Sequence, residues 1–292
     1  MLHLDTDTAS AARYAASLRT RDAELRAELR RTDALAMRDG RSSRVAENRR
    51  SGGRGAGRRG GGGGGGGAPT WSPSASTLTN LRGYYRADLG ITLVGADVDA
   101  WADQSGIGNH LTAPGAGNRP LYVASDATLG SRPVVETDGV AEYLSKAAFS
   151  WGAAFSAFTF SFIGYGVTHT SLDGYGGYLS GGGPRFRQNT TTKMQVVTPD
   201  GGGSDSTTND SVPSLWTLSW DGANAVFYRG GAQESTSADV TASVADGAGF
   251  YVGAFSTFAN ARFAEVILMR AAITAPQLAN LAAYKIARYG GT

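Results

Sequence analysis

Several aromatic side chains in the middle of the chain are of the type that binds sugars. Aromatic rings offer flat, amphipathic faces on which a sugar ring can stack. Residues 180–210 are rich in Gly, Thr, Ser and Asp, which is typical of exposed loops, and loops of β proteins often carry binding sites. The candidate carbohydrate-binding residues, in or near loop-rich segments, are Tyr165, Tyr175, Tyr178 and Phe186.

Acidic and amide side chains in turn clusters suggest a second kind of chemistry, the binding of calcium. Ca²⁺ takes carboxylate and carbonyl oxygens from irregular loops. Asp103, Asn109 and Asp138, with Ser105 beside the first, are candidate ligands by residue type. The same residues are also typical of Asx turns, in which a side-chain oxygen accepts hydrogen bonds from nearby backbone N–H groups. The sequence favours this second interpretation and leaves calcium as the alternative.

The sequence brings no catalytic residues together. Glycoside hydrolysis uses two carboxylates held a few ångströms apart, and no predicted strand presents glutamates at alternating positions. The three histidines, His3, His110 and His169, show neither metal-ligand spacing nor a serine or aspartate partner, and the chain has no cysteine. We therefore predict that the protein is not an enzyme. Glu265, in the last predicted strand, is interpreted as a surface residue or a partner of the helix that follows.

Short apolar runs between turns predict the scaffold that holds these residues. In residues 101–144, turns such as 103–106 and 137–139 alternate with apolar runs about every ten residues, the rhythm of an all-β sandwich. The phenylalanines of residues 158–162 alternate with other side chains, the period of a strand with one side in the core. A hairpin with Asp-Gly in its turn is predicted at 215–229. The other predicted strands are 185–188, 193–198, 250–255 and 262–269.

One helix is predicted at the end of this domain. Thr274 and Gln277 form a capping box, and Gly290 follows the last helical residue. Apolar side chains at helical spacing form a stripe on one side of this helix. We expect this stripe to dock the helix on the edge of the sandwich, with Lys285 at the margin of the contact. That stripe consists of Leu278, Leu281, Ala282, Ile286 and Tyr289.

Three motifs of residues 101–144 resemble a known family. They are W-x-D-Q-S-G-x-G-N-x-L from Trp101, Arg119-Pro120, and G-x-R-P-V-V-x-x-D-G-x-x-x-Y-L from Gly130 to Leu144. This order resembles the laminin-G-like, concanavalin A-like jelly rolls of phage virion proteins and bacterial surface proteins. Residues 81–88 and 281–290 are similar to the opening strand and closing helix of that family. The resemblance implies a mostly β jelly-roll sandwich with a C-terminal helix, and it specifies a fold better than a ligand.

A helical segment is predicted before this domain. Residues 8–39 are rich in Ala, Leu, Arg and Glu and contain no Gly or Pro, which predicts a helix of about 30 residues. Because the helix is so polar, we expect residues 1–50 to anchor the chain to other virion proteins, or to copies of itself in a homo-oligomer. A solvated helix without a partner is the alternative. The narrow apolar seam, which recurs every 11 residues, consists of Tyr14, Leu18, Leu25, Leu29 and Ala36.

A glycine-rich linker connects the predicted helix to the jelly roll. Residues 51–69 end in eight consecutive glycines and predict a flexible tether, so that the jelly roll, residues 70–292, can reorient. Residues 1–60 carry 14 arginines against 8 acidic residues, a charge of +6, and the rest of the chain carries −4. Such a basic arm suits an acidic surface. Arg-Gly sequences can also bind RNA, but this one has no interleaved aromatic residue, so nucleic-acid binding is disfavoured.

These features predict a virion structural protein of a tailed bacteriophage: a fibre, a spike or a capsid decoration. Its helix would anchor it to the particle, and its jelly roll would face host polysaccharide. The first residues lack the charge pattern of a signal peptide, and no apolar run reaches the roughly 20 residues of a membrane span. We therefore expect the virion surface as its location. The alternatives are a bacterial cell-surface adhesin, a glycan hydrolase and an architectural module without a ligand.

Overall fold

The computed structural model describes residues 71–168, 174–178, 185–190, 193–197, 203–206, 211–238, 244–255 and 257–290. Contacts divide the chain into residues 1–64 and 65–292, and every described residue belongs to the second unit. The predicted N-terminal helix and linker lie outside the described residues, as do His3 and His169. The same holds for the predicted anchor residues Tyr14, Leu18, Leu25, Leu29 and Ala36.

The described part of the chain is mostly β, as predicted, with nineteen strands and one α-helix. The strands are β1 (Leu81–Arg86), β2 (Ile91–Val94), β3 (Asp97–Trp101), β4 (Leu111–Thr112), β5 (Leu121–Asp126), β6 (Arg132–Asp138), β7 (Leu144–Lys146), β8 (Phe158–Thr168), β9 (Gly174–Tyr178), β10 (Arg185–Thr190), β11 (Lys193–Val197), β12 (Gly203–Asp205), β13 (Ser214–Trp220), β14 (Asn224–Arg229), β15 (Ala232–Ala238), β16 (Phe250–Val252), β17 (Ala254–Phe255), β18 (Thr257–Phe258) and β19 (Asn260–Met269). The helix is α1 (Ala275–Tyr289).

Antiparallel pairing arranges the strands in two layers. The back sheet has the order β15-β14-β13-β8-β19-β1, and β6 and β5 continue it beside the first half of β19. The front sheet has the order β4-β7-β16-β9-β10-β11-β12. Strand β3 pairs with both β4 and β5, so it joins the two layers. The predicted β-sandwich is confirmed.

Aromatic side chains fill the space between the sheets. Phe158, Phe160 and Phe162 of β8 are fully buried in this core as predicted, but Thr159 and Ser161 between them are buried as well, so both sides of the strand are covered. The ring of Phe160 meets that of Phe186 in the front sheet, with ring centroids 5.0 Å apart. Each large ring removes a large apolar area from water, so this layer supplies much of the stabilisation of the fold. Trp101 also lies fully buried in this core.

Helix α1 packs on the outer side of the back sheet. The predicted capping box is present: the Thr274 hydroxyl accepts from the Gln277 N–H, and the Gln277 side chain accepts from the Thr274 N–H. Leu278, Leu281 and Tyr289 of the predicted stripe are buried as expected, whereas Ile286, Lys285 and the place of docking differ from the prediction. The helix covers the face of the sheet rather than its edge, Ile286 is 56% exposed, and Lys285 is buried with its Nζ donating to the Gly290 carbonyl at 3.1 Å. Tyr284 takes the inward position instead.

Candidate functional site

The four aromatic residues predicted to bind sugars lie inside the protein. Tyr165 is 8% exposed, and Tyr175, Tyr178 and Phe186 are at most 1% exposed. The ring of Tyr175 is stacked on Phe162 with centroids 5.8 Å apart. Each belongs to a strand, and its side chain packs in an apolar cluster instead of facing solvent beside the loops. Their faces are occupied by protein, so we do not include them in the candidate site.

The glycines of β9 explain why this segment resembles a loop. Glycine-rich sequence normally predicts a loop or a turn. In β9, a Cβ atom added to Gly174 would lie 2.3 Å from the Phe255 nitrogen, because the β17–β18 hairpin approaches the strand closely. The strand therefore requires glycine there for backbone contact and not for flexibility.

The three candidate calcium ligands act as hydrogen-bonding groups within turns. Asp103 accepts five hydrogen bonds; the donors include the Tyr84 N–H at 3.0 Å and the Asn109 N–H at 3.0 Å. Asn109 in turn bridges Arg82 and Ser150. One Asp138 oxygen accepts from three successive backbone N–H groups, those of residues 140–142. The local contacts of Asp103 and Asp138 match the Asx-turn interpretation, whereas the side-chain contacts of Asn109 link separate segments of the chain. The described residues contain no group of three or more acidic, histidine or cysteine side chains able to hold a metal ion.

His110 also belongs to this turn. Its Nδ1 accepts a hydrogen bond from the Asp103 N–H at 3.0 Å. The ring thus stabilises the loop that Asp103 organises.

A carboxylate cluster lies on the outer side of the back sheet. Asp126 accepts hydrogen bonds from Thr128 and from the Tyr165 hydroxyl at 2.8 Å, and the Arg262 Nη1 lies 3.1 Å from its Oδ2. The Arg262 Nε also donates to Glu136 at 2.9 Å. Burial alone would raise the pKa of Asp126, but these hydrogen bonds and the arginine charge outweigh it and lower the pKa. Asp126 is therefore held ionised, whereas a general acid for glycoside hydrolysis must be protonated.

Asp126→Asn is expected to reduce the amount by which the free energy of unfolding falls when the pH is lowered. The folded-state pKa of Asp126 lies below its ordinary value, so its stabilisation is present at neutral pH and is lost as pH falls through the folded value. The variant should lose about 1–3 kcal/mol at pH 7 and lose less than the parent on acidification. Urea denaturation of both proteins at pH 7 and pH 3 measures this. Parallel losses on acidification would show that Asp126 does not titrate in this way.

The outward side of the front sheet carries a group of half-buried polar side chains, which we call the front face, although Val197, opposite Arg185 on this side, is buried. In β10, Phe186 and Gln188 point into the core, so the alternating Arg185, Arg187 and Asn189 point outward. The same alternation puts Tyr251 outward between the buried Phe250 and Val252. The residues that define the front face are Tyr251, Arg185, Arg187, Asn189, Gln195 and Asp205; their side chains are half-buried.

Register places the two ends of this surface at a defined separation. Tyr251 and Arg185 are both cross-strand partners of Gly177, so one strand lies between them. Two inter-strand spacings separate their backbones by about 10 Å. Gly177 has no side chain to separate them, so the Tyr251 ring and the Arg185 guanidinium are neighbours on this part of the sheet.

Hydrogen bonds fix the polar side chains of the front face. The Arg187 Nε donates to the Gln195 Oε1 at 2.6 Å, and the Gln195 Nε2 donates to the Asp205 Oδ1 at 2.9 Å. The Asn189 amide donates to both Asp205 oxygens at 3.1 Å. Because each group is oriented by its neighbour, the ladder is preorganised to present donors and acceptors in one plane.

Partly exposed rings border the front face. The rings of Tyr143 and Tyr251 meet edge to face with centroids 5.4 Å apart, and Phe258 lies 5.8 Å from Tyr143. On the next strands, the Arg185 guanidinium carbon lies 4.3 Å from the Phe255 ring centroid. Half-buried rings beside fixed polar groups are the combination that sugar recognition uses, since a sugar has both an apolar face and hydroxyl groups.

The sequence contains a signal for this surface. In Arg-Phe-Arg-Gln-Asn, residues 185–189, charged and amide side chains alternate with inward ones, which is the period of a strand with one solvated face. Strands were predicted at 185–188 and 193–198, and both are confirmed. The sequence did not identify the residues of the front face as one surface, because the pairing of β10 and β16 with β9 brings together segments that are far apart in the chain.

The fold is shared with domains of known glycan-active proteins. Domain 4 of a GH43 extracellular arabinanase from Geobacillus stearothermophilus, solved with arabinotriose, has 13% identity and a TM-score of 0.51, covering 70% of this chain and 98% of that one. An arabinofuranosidase complexed with arabinofuranosyl-alpha-1,2-xylobiose has 13% identity and a TM-score of 0.54, covering 66% and 51%. Trypanosoma rangeli sialidase has 12% identity and a TM-score of 0.49, covering 70% and 32%.

At these identities the likeness establishes the class: a mostly β, jelly-roll-like sandwich. This chain spans about half of the arabinofuranosidase chain and a third of the sialidase chain. No family model matches the sequence, and no curated protein matches it. Among the described residues, no helix has both the length and the apolar character that a membrane span requires.

Proposed function

We propose that this domain binds carbohydrate and that the front face is the binding surface. The observation that carries the proposal is the juxtaposition of the half-buried Tyr251 ring with a hydrogen-bonded ladder of polar side chains on the same side of one sheet. The shared fold supports it, since the arabinanase domain that the chain covers almost completely was solved with arabinotriose. A flat sheet face suits an extended polysaccharide chain better than a small compact ligand.

Among the described residues, both outer sides of the sandwich are partly covered; on the front sheet, the β17–β18 hairpin lies against β9 at Gly174. Helix α1 covers much of the outer back sheet, where Leu281, Tyr284 and Tyr289 are buried against it. Arg262 and its partners occupy further area on that side. The front face instead carries half-buried rings and amides. We therefore place the ligand on the front sheet.

Tyr251→Ala is expected to weaken glycan binding by at least tenfold, which corresponds to about 1.4 kcal/mol and is typical of a central aromatic contact. Tyr228→Ala is the matched control, because Tyr228 is a half-buried tyrosine on β14 of the back sheet. The full chain is screened on a glycan array, and affinities are then measured by calorimetry. Equal losses in the two variants would contradict the assignment of the front face, and absence of binding to any glycan would contradict the proposed function.

We propose binding without hydrolysis. Asp126 and Glu136 on the outer back sheet share one arginine, Arg262. Such a pair is arranged for structure rather than for proton transfer. Incubation with each bound polysaccharide should release no reducing sugar above the buffer control, and release that disappears in Asp126→Asn would overturn this part of the proposal.

We further propose that the domain is displayed on a tailed-phage particle as a fibre, spike or capsid decoration. Support for this part comes from the sequence: a predicted helix at 8–39 followed by a glycine tether at 51–69. A bacterial cell-surface adhesin is the alternative. Mass spectrometry of purified particles and of cell envelopes separates the two: recovery from particles supports display, whereas recovery from envelopes alone supports the adhesin.

A further inference from the structure

Positive charge is concentrated on one side of the front face. The outward charged residues of β10, β11 and β12 are three cations and one acid: Arg185, Arg187, Lys193 and Asp205. Asp205 already accepts hydrogen bonds from Gln195 and Asn189. The described part of this surface thus has an excess of positive charge, in contrast to the −4 charge of residues 61–292 as a whole.

Arg185 and Arg187 lie on the same side of one strand, two residues apart. Both point outward, so their charges repel one another across a partly buried surface. Burial lowers the pKa of Arg185, and the charge of Arg187 lowers it further. An anion bound between them would relieve this repulsion.

Contacts with neighbouring side chains hold both guanidinium groups in place. Arg185 lies over the Phe255 ring, 4.3 Å from its centroid, and Arg187 is oriented by Gln195. A guanidinium is planar, and its N–H groups lie in its own plane. Such a fixed, planar group is suited to a carboxylate, which can accept two parallel hydrogen bonds.

We propose that the front face selects an acidic glycan, with Arg185 and Arg187 binding a sugar carboxylate and Tyr251 stacking on a neighbouring sugar ring. This inference rests on the proposed function and adds the substrate class. The spacing agrees with it, because one strand lies between Tyr251 and Arg185, a separation of about 10 Å. A short oligosaccharide lying across the strands spans that distance.

The test compares the full chain with Arg185→Gln, Arg185→Lys and Arg229→Gln on a glycan array that contains neutral, carboxylated and sulfated glycans. Arg229→Gln is the matched control, because this arginine also lies over an aromatic ring but in the back sheet. The Arg229 guanidinium carbon is 5.1 Å from the centroid of the Trp216 ring. We expect bound glycans to carry carboxylates, and Arg185→Gln to lower their affinity about tenfold, the effect of a charge-assisted hydrogen bond. Methyl esterification of the glycan carboxylates should lower the affinity of the unmodified protein by a similar factor. Added salt should weaken binding by the unmodified protein more than binding by Arg185→Gln.

Each other outcome has a defined meaning. Arg185→Lys should recover only part of the affinity, since an ammonium cannot make the paired contact; full recovery would contradict the carboxylate geometry. Binding of neutral glycans that depends on Tyr251 but not on Arg185 would overturn this inference and leave the proposed function intact. Binding of sulfated glycans alone, or of a single-stranded oligonucleotide with the same Arg185 dependence, would overturn it as well. Absence of any glycan binding would contradict both proposals.

Discussion

Replacing Glu265 by alanine is expected to lower the free energy of unfolding by about 3–5 kcal/mol, the range for removing one partner from a buried polar network. Glu265 of β19 is fully buried beneath α1. The Tyr284 and Tyr289 hydroxyls donate to its Oε1 at 2.7 and 2.6 Å, and the Tyr84 hydroxyl donates to its Oε2 at 3.1 Å. The Arg288 Nε lies 3.1 Å from Oε1. Alanine would leave these donors buried without their acceptor.

Glu136→Ala is the control for the loss of a glutamate. Glu136 pairs with Arg262 at the partly exposed outer side of the back sheet, where an ion pair contributes about 0–1 kcal/mol. Urea denaturation of the two variants measures the difference in unfolding free energy. Similar losses in both variants would show that the network beneath α1 does not hold the helix in place.

The pH dependence of Glu265→Gln provides a second measure of the same site. Burial raises the pKa of Glu265, against the opposing effects of the Tyr289 and Tyr284 hydroxyls and the Arg288 charge. Because the folded pKa lies above the ordinary value of 4.5, the contribution of Glu265 is full below that value and is lost as pH rises through the folded pKa. The stability difference between parent and variant should therefore narrow from pH 4 to pH 8. A difference that grows with pH would contradict this sign.

Gly164→Ala is expected to be the most damaging single-methyl change in the described chain, with a loss of at least about 3 kcal/mol or failure to fold. An added Cβ would lie 2.1 Å from the Arg262 carbonyl oxygen, in the middle of the β8–β19 pair of the back sheet. The backbone of one of these two strands would have to move, because no flexible side chain can yield there.

Gly117→Ala is the control for this change. Gly117 lies in an exposed turn, and an added Cβ would meet no atom within 4 Å. Its melting temperature should match or slightly exceed that of the parent, since alanine restricts the unfolded chain. If Gly164→Ala melted at the same temperature as Gly117→Ala, the close approach of β8 and β19 would be contradicted.

Local patterns in the sequence predict much of the sandwich. Alternation at residues 158–162, the turn at 221–224 and the capping box at Thr274 each depend on a few neighbouring residues, and each is confirmed. Lys285 was placed wrongly because its burial depends on how α1 meets the sheet. Helical spacing gives the stripe of a helix but not the face of the protein that it contacts.

The candidate site was beyond prediction for a different reason. The front face joins Tyr251 of β16 with Arg185 of β10 through β9, and this pairing brings together residues far apart in the chain. Composition also misled the prediction, because glycine-rich residues around Tyr175 and Tyr178 were interpreted as loops. Glycine in β9 instead permits close backbone contact with the β17–β18 hairpin. Aromatic residues there were consequently assigned to the surface, although they belong to the core.

Amide chemical-shift mapping of the full chain, titrated with a glycan that the array identifies, tests the central claim most directly. We predict that the largest shifts fall on β10, β11 and β16, around Arg185, Gln195 and Tyr251, and that Tyr251→Ala needs at least tenfold more glycan to produce them. Shifts confined to the back sheet around Tyr228 would contradict the account, as would the absence of shifts with every glycan.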